Sequence, residues 1–216
     1  MFTVLLANGS YTSSPETIHR LKQADLVIAV DGGANQYNEF GIVPDIIVGD
    51  LDSISPENLA QLEQNRKTKI IRYPRRKNAT DLELALDLAL KKGASCLWIE
   101  GGLGGRWDMS LANIMLAAAP RYRAVDIFLG DDTCIIRILH SGKKYNLTLQ
   151  KGQLVSLLPL CGDVSGITLK GFEYPLEDAT ITFGSSRGVS NVAADENNRV
   201  HFQKGILLCV LQGVLQ

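Results

Sequence analysis

Short apolar runs and amphipathic helical segments alternate over the first 130 residues, and that rhythm constrains the fold more than any other feature. The runs are Thr3 to Ala7, Leu26 to Val30, Asp45 to Val48, Lys69 to Arg72, Cys96 to Ile99 and Val125 to Leu129. Helical stretches lie between them, at Pro15 to Lys22, Ala34 to Phe40, Pro56 to Gln64, Asp81 to Lys92 and Trp107 to Ala119. Strands separated by helices must be joined by crossovers, so this half reads as an α/β fold. A mostly parallel, Rossmann-like sheet with helices on both faces is expected. In the segment from Thr80 to Gly93 the leucines alternate as they would in a strand. Leu82, Ala85, Leu86, Ala89 and Leu90 nevertheless fit the helical spacing, Thr80 and Glu83 form a capping box, and Gly93 supplies a stop.

After Gly130 the grammar changes. Short runs follow one another directly, at 134–139, 145–149, 154–158, 167–169, 180–183, 200–202 and 206–211. Turn residues such as Ser141-Gly142-Lys143-Lys144 and Asn197-Asn198-Arg199 separate them. Such spacing indicates an antiparallel β-sandwich or barrel. A boundary at Asp131–Asp132 follows, giving an α/β catalytic domain over 1–131 and a β-sandwich domain over 132–216.

Several function classes are disfavoured by composition. A formal net charge of −1 offers no broad basic field for nucleic acid or an anionic membrane, and the Arg72, Arg75, Arg76, Lys77 cluster suits a nucleotide's phosphates as well as a polymer. Cys96, Cys134, Cys161 and Cys209 show no C-x-x-C and no neighbouring histidine for a zinc site, and His19, His140 and His201 match no catalytic pattern. No apolar run reaches transmembrane length, and the start lacks the basic and apolar regions of a leader, so a cytoplasmic location is expected.

In an open α/β sheet, ligands bind beyond the carboxyl ends of the strands. Followed to their ends, the runs deliver Asn8-Gly9, Asp31-Gly32-Gly33-Ala34-Asn35, Gly49-Asp50-Leu51-Asp52, the basic loop leading to Asp81, and Gly101 to Asp108. Asp50 and Asp52, two apart at a strand end, should leave the sheet on one face and repel unless a cation balances them. Paired hard oxygen ligands are a common way of holding Mg²⁺ against a phosphate. Each element also has a plain reading: Asp31 as a turn former, Asp81 as an acid at a helix start, Arg106 with Asp108 as a surface ion pair. The glycine segment is neither G-x-x-x-x-G-K-[ST] nor G-x-G-x-x-G, but it can present backbone N–H groups to an anion, with Arg106 as a fork. Five chain segments converging on one rim favour a Mg²⁺–nucleotide or polyphosphate site.

The motifs DGGAN (31–35), PDIIVGDLDS (44–53), TDLELAL (80–86), GGLGGRWDMSLANI (101–114) and SRGVSN (186–191) together resemble the thiamine pyrophosphokinase family. The resemblance implies diphosphoryl transfer from ATP to thiamine, with thiamine diphosphate and AMP as products. By match to the family's motifs, Asp50, Asp52 and Asp81 would hold Mg²⁺, and Arg106 and Asp108 would sit in the active-site loop. Asp31, Gly32, Gly33, Asn35, Gly104 and Gly105 would line the nucleotide floor, and Ser190 and Asn191 would contribute to thiamine binding. The family's members are homodimers whose thiamine pocket is shared between subunits. Three departures are visible: Asn78 in place of an acid, Met109 after Asp108, and Val192, Ala193 and Ala194 where some members carry an aromatic residue after Ser-Asn. The alternatives are a diphosphokinase for another alcohol, such as a pterin, and a non-catalytic thiamine or nucleotide binder.

Overall fold

A computed structural model describes residues 1–11, 13–131 and 133–213 of the chain. It divides into two compact units, 1–131 and 132–216. Asp132, one of the two residues named for the boundary, lies outside the described residues.

The first unit carries β1 (Phe2–Leu6), β2 (Leu26–Val30), β3 (Ile46–Gly49), β4 (Lys69–Arg72), β5 (Cys96–Glu100) and β6 (Asp126–Gly130). Between them run α1 (Pro15–Gln23), α2 (Tyr37–Phe40), α3 (Pro56–Gln64), α4 (Asp81–Lys91) and α5 (Trp107–Ala117). All the pairings within this unit are parallel, in the order β6-β5-β1-β2-β3-β4. Strand order reverses at β1, which lies between β2 and β5, and such switch points open a crevice at the carboxyl ends. The apolar side chains of β1, β2 and β3 are buried at nearly every position, as a sheet covered on both faces requires. Ser14, Ser55 and Thr80 cap α1, α3 and α4, each hydroxyl accepting from the amide three residues on. Leu82, Ala85, Leu86 and Ala89 are buried, so helical burial overrides the alternating leucines of α4.

Two details depart from the expected elements. The segment read as a helix from Ala34 is a 3₁₀ turn over Asp31–Gln36 followed by the single turn of α2. A Cβ on Gly33 would collide with the carbonyl oxygen of Leu6, so this backbone packs directly on β1 and turns tightly there. β3 ends at Gly49, which puts Asp50 and Asp52 in the following turn rather than on the strand.

The second unit holds β7 (Cys134–His140), β8 (Lys144–Leu147), β9 (Leu154–Pro159), β10 (Val164–Lys170), β11 (Leu176–Ile181), β12 (Asn191–Val192), β13 (Asn198–His201) and β14 (Ile206–Gln212). They form two antiparallel sets, β12-β9-β14-β7 and β11-β10-β13-β8. Along β14, Leu207, Cys209 and Leu211 are buried in alternation, the period-two signature of a strand with one covered face. The two-residue β12 escapes the sequence because two residues carry no period. Among the described residues no helix is long and apolar enough to cross a membrane.

Candidate active site

Gly49 leaves β3 with φ 152°, and Leu51 follows at φ 67°, in the left-handed region that few non-glycine residues occupy. Leu51 is buried, so its side chain anchors the turn, with Asp50 half-buried on one side of it and Asp52 exposed on the other. The Asp50 carboxylate accepts a hydrogen bond from the Asp52 amide at 3.2 Å. The two carboxylates are therefore brought together by a left-handed turn, not by strand alternation, which corrects the expectation of a shared strand face. Asp31, at the end of β2, also has positive φ (46°). Carboxylate oxygens of Asp31, Asp50 and Asp52 all lie within 4.8 Å of one another. Left-handed backbone at two non-glycine residues costs on the order of 1 kcal/mol each, and such strain gathers at functional sites.

Asp81, the first residue of α4, is held differently. Lys77 Nζ lies 2.9 Å from Asp81 Oδ1 and 3.9 Å from Asp50 Oδ2, so one ammonium links Asp81 to the three-acid group. Buried oxygens Asp31 Oδ1 and Asp81 Oδ1 receive no aligned hydrogen bond. A buried carboxylate oxygen without a donor is costly unless a cation meets it.

Beside the acids, at the β1/β5 switch point, lies a cavity of about 600 Å³. Asp31 and Asp81 line it from one side, Asn8 and Ser10 from the end of β1, and Gly104, Gly105 and Arg106 from the loop after β5. Close backbone approach shapes this end: a Cβ on Gly9 would run into the carbonyl of Gly101. Two buried residues of α5, spaced i and i+3, hold the glycine loop. Ser110 Oγ accepts from the Gly104 amide at 3.1 Å and donates to the Arg106 carbonyl at 3.2 Å, and Asn113 Nδ2 donates to the Gly102 carbonyl at 2.7 Å. Sequence reasoning missed this pair. The available signal was two polar residues on the helix face that otherwise buries Ala117.

Arg106 and Asp108 form a two-point pair on the exposed loop, Nε to Oδ1 at 3.1 Å and Nη2 to Oδ2 at 2.5 Å. That hydrogen bonding raises the Arg106 pKa and holds Asp108 below the usual carboxylate range. Asn35 makes its hydrogen bonds to the turn after β3. Its Nδ2 donates to the Ser53 carbonyl at 2.9 Å, and its Oδ1 accepts from the Ser55 amide at 2.9 Å and from Asn58 Nδ2 at 3.1 Å. It clamps the turn that carries Asp50 and Asp52. Gly32 and Gly33 pack against Asn8 and Leu6 behind the cavity wall.

Ser190 and Asn191 belong to the second unit. Asn191 is buried, its Oδ1 accepting from the amides of Tyr174 (3.1 Å) and Val192 (2.9 Å) while its Nδ2 donates to the Tyr174 carbonyl (2.9 Å). Ser190 is exposed with φ 56°, and its amide donates to Ser156 Oγ at 3.1 Å. Of the large aromatic residues in this unit, Tyr174 and Phe183 are exposed.

Comparison with known proteins places both units. Residues 18–129 match a family model described as the thiamin pyrophosphokinase catalytic domain, and residues 136–207 match one described as the thiamin pyrophosphokinase vitamin B1 binding domain. The thiamine pyrophosphokinase of Bacillus subtilis (strain 168) is 32% identical over 207 residues, covering 95% of this chain and 96% of that protein. Thiamine pyrophosphokinase 2 of Oryza sativa subsp. japonica is 28% identical over 89% of this chain and 80% of its own length. Among solved structures, the Bacillus subtilis thiamine pyrophosphokinase superposes with a TM-score of 0.86 at 29% identity over the full length of both chains. A thiamin pyrophosphokinase family protein from Enterococcus faecalis gives 0.81 at 28% identity, covering 98% of this chain and 99% of that one.

Proposed function

This chain belongs to the thiamine pyrophosphokinase family and transfers the diphosphoryl group of ATP to thiamine, giving thiamine diphosphate and AMP; on that premise we propose that the rim of Asp31, Asp50, Asp52 and Asp81 holds Mg²⁺–ATP. The observation that carries this reading is the convergence of three carboxylates within 4.8 Å of one another beside the switch-point cavity. The buried, donorless oxygen of Asp31 and the all-oxygen donor set fit a hard divalent cation. When bound, Mg²⁺ would neutralise charge on the phosphates and steady their oxygens.

The chain's own residues do the rest by positioning and electrostatics. Gly104, Gly105 and the Arg106 guanidinium line the triphosphate's side of the cavity from the glycine loop, whose shape the Gly104 amide fixes through Ser110. Arg106 exchanges Asp108 for phosphate oxygens, a swap of one two-point anion partner for another. Asp108, released as Arg106 turns to the phosphates, accepts a hydrogen bond from the thiamine hydroxyl as that oxygen turns toward the β-phosphorus. The family's vitamin B1 domain favours thiamine over a pterin alcohol, and likeness to thiamine pyrophosphokinases favours turnover over a purely binding role.

We read the first unit as Rossmann-like and the two antiparallel sets of the second as the faces of a sandwich that carries thiamine, with Ser190 and Tyr174 presented there. A homodimer suits the exposed stripe of α5, where Trp107 (81% exposed), Leu111 (52%) and Met115 (63%) recur every four residues next to Arg106. A cytoplasmic location fits the ATP requirement. Incubation with ATP, Mg²⁺ and thiamine, followed by chromatography, tests the whole reading. AMP and thiamine diphosphate should appear together, and Asp52→Asn should abolish both while circular dichroism stays unchanged. ADP as the nucleotide product, or full turnover by Asp52→Asn, refutes it.

A further inference from the structure

Lys77 is absent from the set of acids and loop residues assigned above, yet it sits among them. Its side chain is only 14% exposed, against 82% for Arg75, whose Nε reaches Asp52 Oδ2 at 3.5 Å from the outside. An ammonium withdrawn from water this far needs compensation, and Lys77 finds it in Asp81 at 2.9 Å and Asp50 at 3.9 Å. Both contacts are ionic rather than directional, since Asp81 Oδ1 receives no aligned hydrogen bond. The four-carbon stem of lysine can move such a point charge by several ångströms without disturbing the backbone. Asn78, the next residue, brings no charge of its own, so Lys77 is the withdrawn cation that meets Asp50 and Asp81.

We propose that Lys77 is the internal counter-cation of the acidic site, holding Asp50 and Asp81 together in the nucleotide-free chain and passing to the triphosphate when Mg²⁺–ATP enters. The exchange makes and breaks no covalent bond. Asp50 and Asp81 lose one cation as they gain another, and the ammonium trades two carboxylates for phosphate oxygens. Lys77 is thus a positioning residue before substrate arrives and a phosphate ligand afterwards. The proposal rests on the reading of this rim as the Mg²⁺–ATP site, and it accounts for how an acidic group this dense keeps its geometry without nucleotide.

The consequence is a pair of opposite effects. Lys77→Met removes a competing unit charge about 4 Å from the position of a divalent cation, which in a water-like dielectric corresponds to roughly thirty-fold tighter metal binding. The same change takes a positive partner from the triphosphate, so KM for Mg²⁺–ATP should rise and kcat should fall about ten-fold or more. Mn²⁺ binding to the nucleotide-free protein, followed by electron paramagnetic resonance titration, reads the first effect without turnover. Lys77→Arg should bind Mn²⁺ like the unsubstituted chain, and Asp50→Asn should bind it much more weakly. Lys77→Gln serves as a second neutral variant should Lys77→Met fail to fold. Unchanged or weaker Mn²⁺ binding in a folded neutral variant, with Asp50→Asn still impaired, overturns the Lys77 proposal alone. Equal Mn²⁺ binding by Asp50→Asn and the unsubstituted chain overturns the metal site, and the Lys77 proposal with it.

Discussion

Asp31→Asn should make the metal-free protein more stable while destroying its use of Mg²⁺. Asn tolerates the left-handed backbone at position 31 as well as Asp does, so the φ of 46° is not a new cost. The substitution also strips no hydrogen bond from Asp31 Oδ1, which has none. What it removes is one charge from a group whose oxygens lie within 4.8 Å of one another. At that separation each like-charge pair repels by about 0.9 kcal/mol at a dielectric of 80 and about 3.5 kcal/mol at 20. Asp31 takes part in two such pairs, giving a gross relief between about 2 and 7 kcal/mol. Partial exposure of all three acids places the site near the lower limit, and Lys77 already offsets part of it, so a net gain of about 1–2 kcal/mol is expected. Urea unfolding in EDTA at low salt measures it, with the m-value unchanged. At 1 M salt the screening length falls to about 3 Å and the gain should shrink to a few tenths of a kcal/mol. Mg²⁺ at a hundred times its dissociation constant should stabilise the unsubstituted chain by about 2.7 kcal/mol and the variant far less. A variant that is equally or less stable than the parent in EDTA at low salt refutes the repulsion argument.

Three further outcomes are expected. Asn35→Ala should lose about 2–3 kcal/mol in urea unfolding, because it leaves the Ser53 carbonyl and Ser55 amide unpaired, and it should weaken Mn²⁺ binding although Asn35 is no ligand. Burial, followed by the hydrogen bond to Asp87, raises the Tyr122 hydroxyl from 10.0 to about 12, so its stabilising contribution is complete below pH 10 and lost as pH climbs toward 12. Tyr122→Phe should therefore be less stable than the parent at pH 8 and close the gap by pH 12 in unfolding curves. Burial likewise pushes the Cys209 thiol up to about 12, whereas Cys161 is exposed. An aromatic disulfide reagent at pH 8 should label Cys161 first and reach Cys209 only on unfolding.

Periodicity and capping made most of the elements legible, because both are local. Ser14, Ser55 and Thr80 mark helix starts through contacts three residues long, and the leucines of α4 bury at helical spacing wherever the helix is placed. Most boundaries moved by one to three residues, and β11 fell earlier than its apolar residues suggested, since Leu176 pairs with Leu169 while the exposed Glu177 and Asp178 form an irregularity in the register. Asp31, Asp50, Asp52 and Asp81 were readable as acids at strand and helix ends. Their convergence on one rim was readable as well, but the approach of Asp31, Asp50 and Asp52 to within 4.8 Å was not, because it depends on the positive φ of Leu51 and on which strands become neighbours.

By itself the sequence determined the alternation of strand and helix, the change of grammar after Gly130, and a family identity carried by motifs that are chemically simple and ordered along the chain. Tertiary structure alone decided that β1 separates β2 from β5 and so opens the crevice, that Asn35 clamps the turn carrying Asp50 and Asp52, and that Lys77 stands between Asp50 and Asp81. The physical reason is range. Hydrogen-bond periodicity acts over a few residues and is written in order, whereas the field at a carboxylate is set by whatever charge folding brings within about 4 Å, from any distance along the chain.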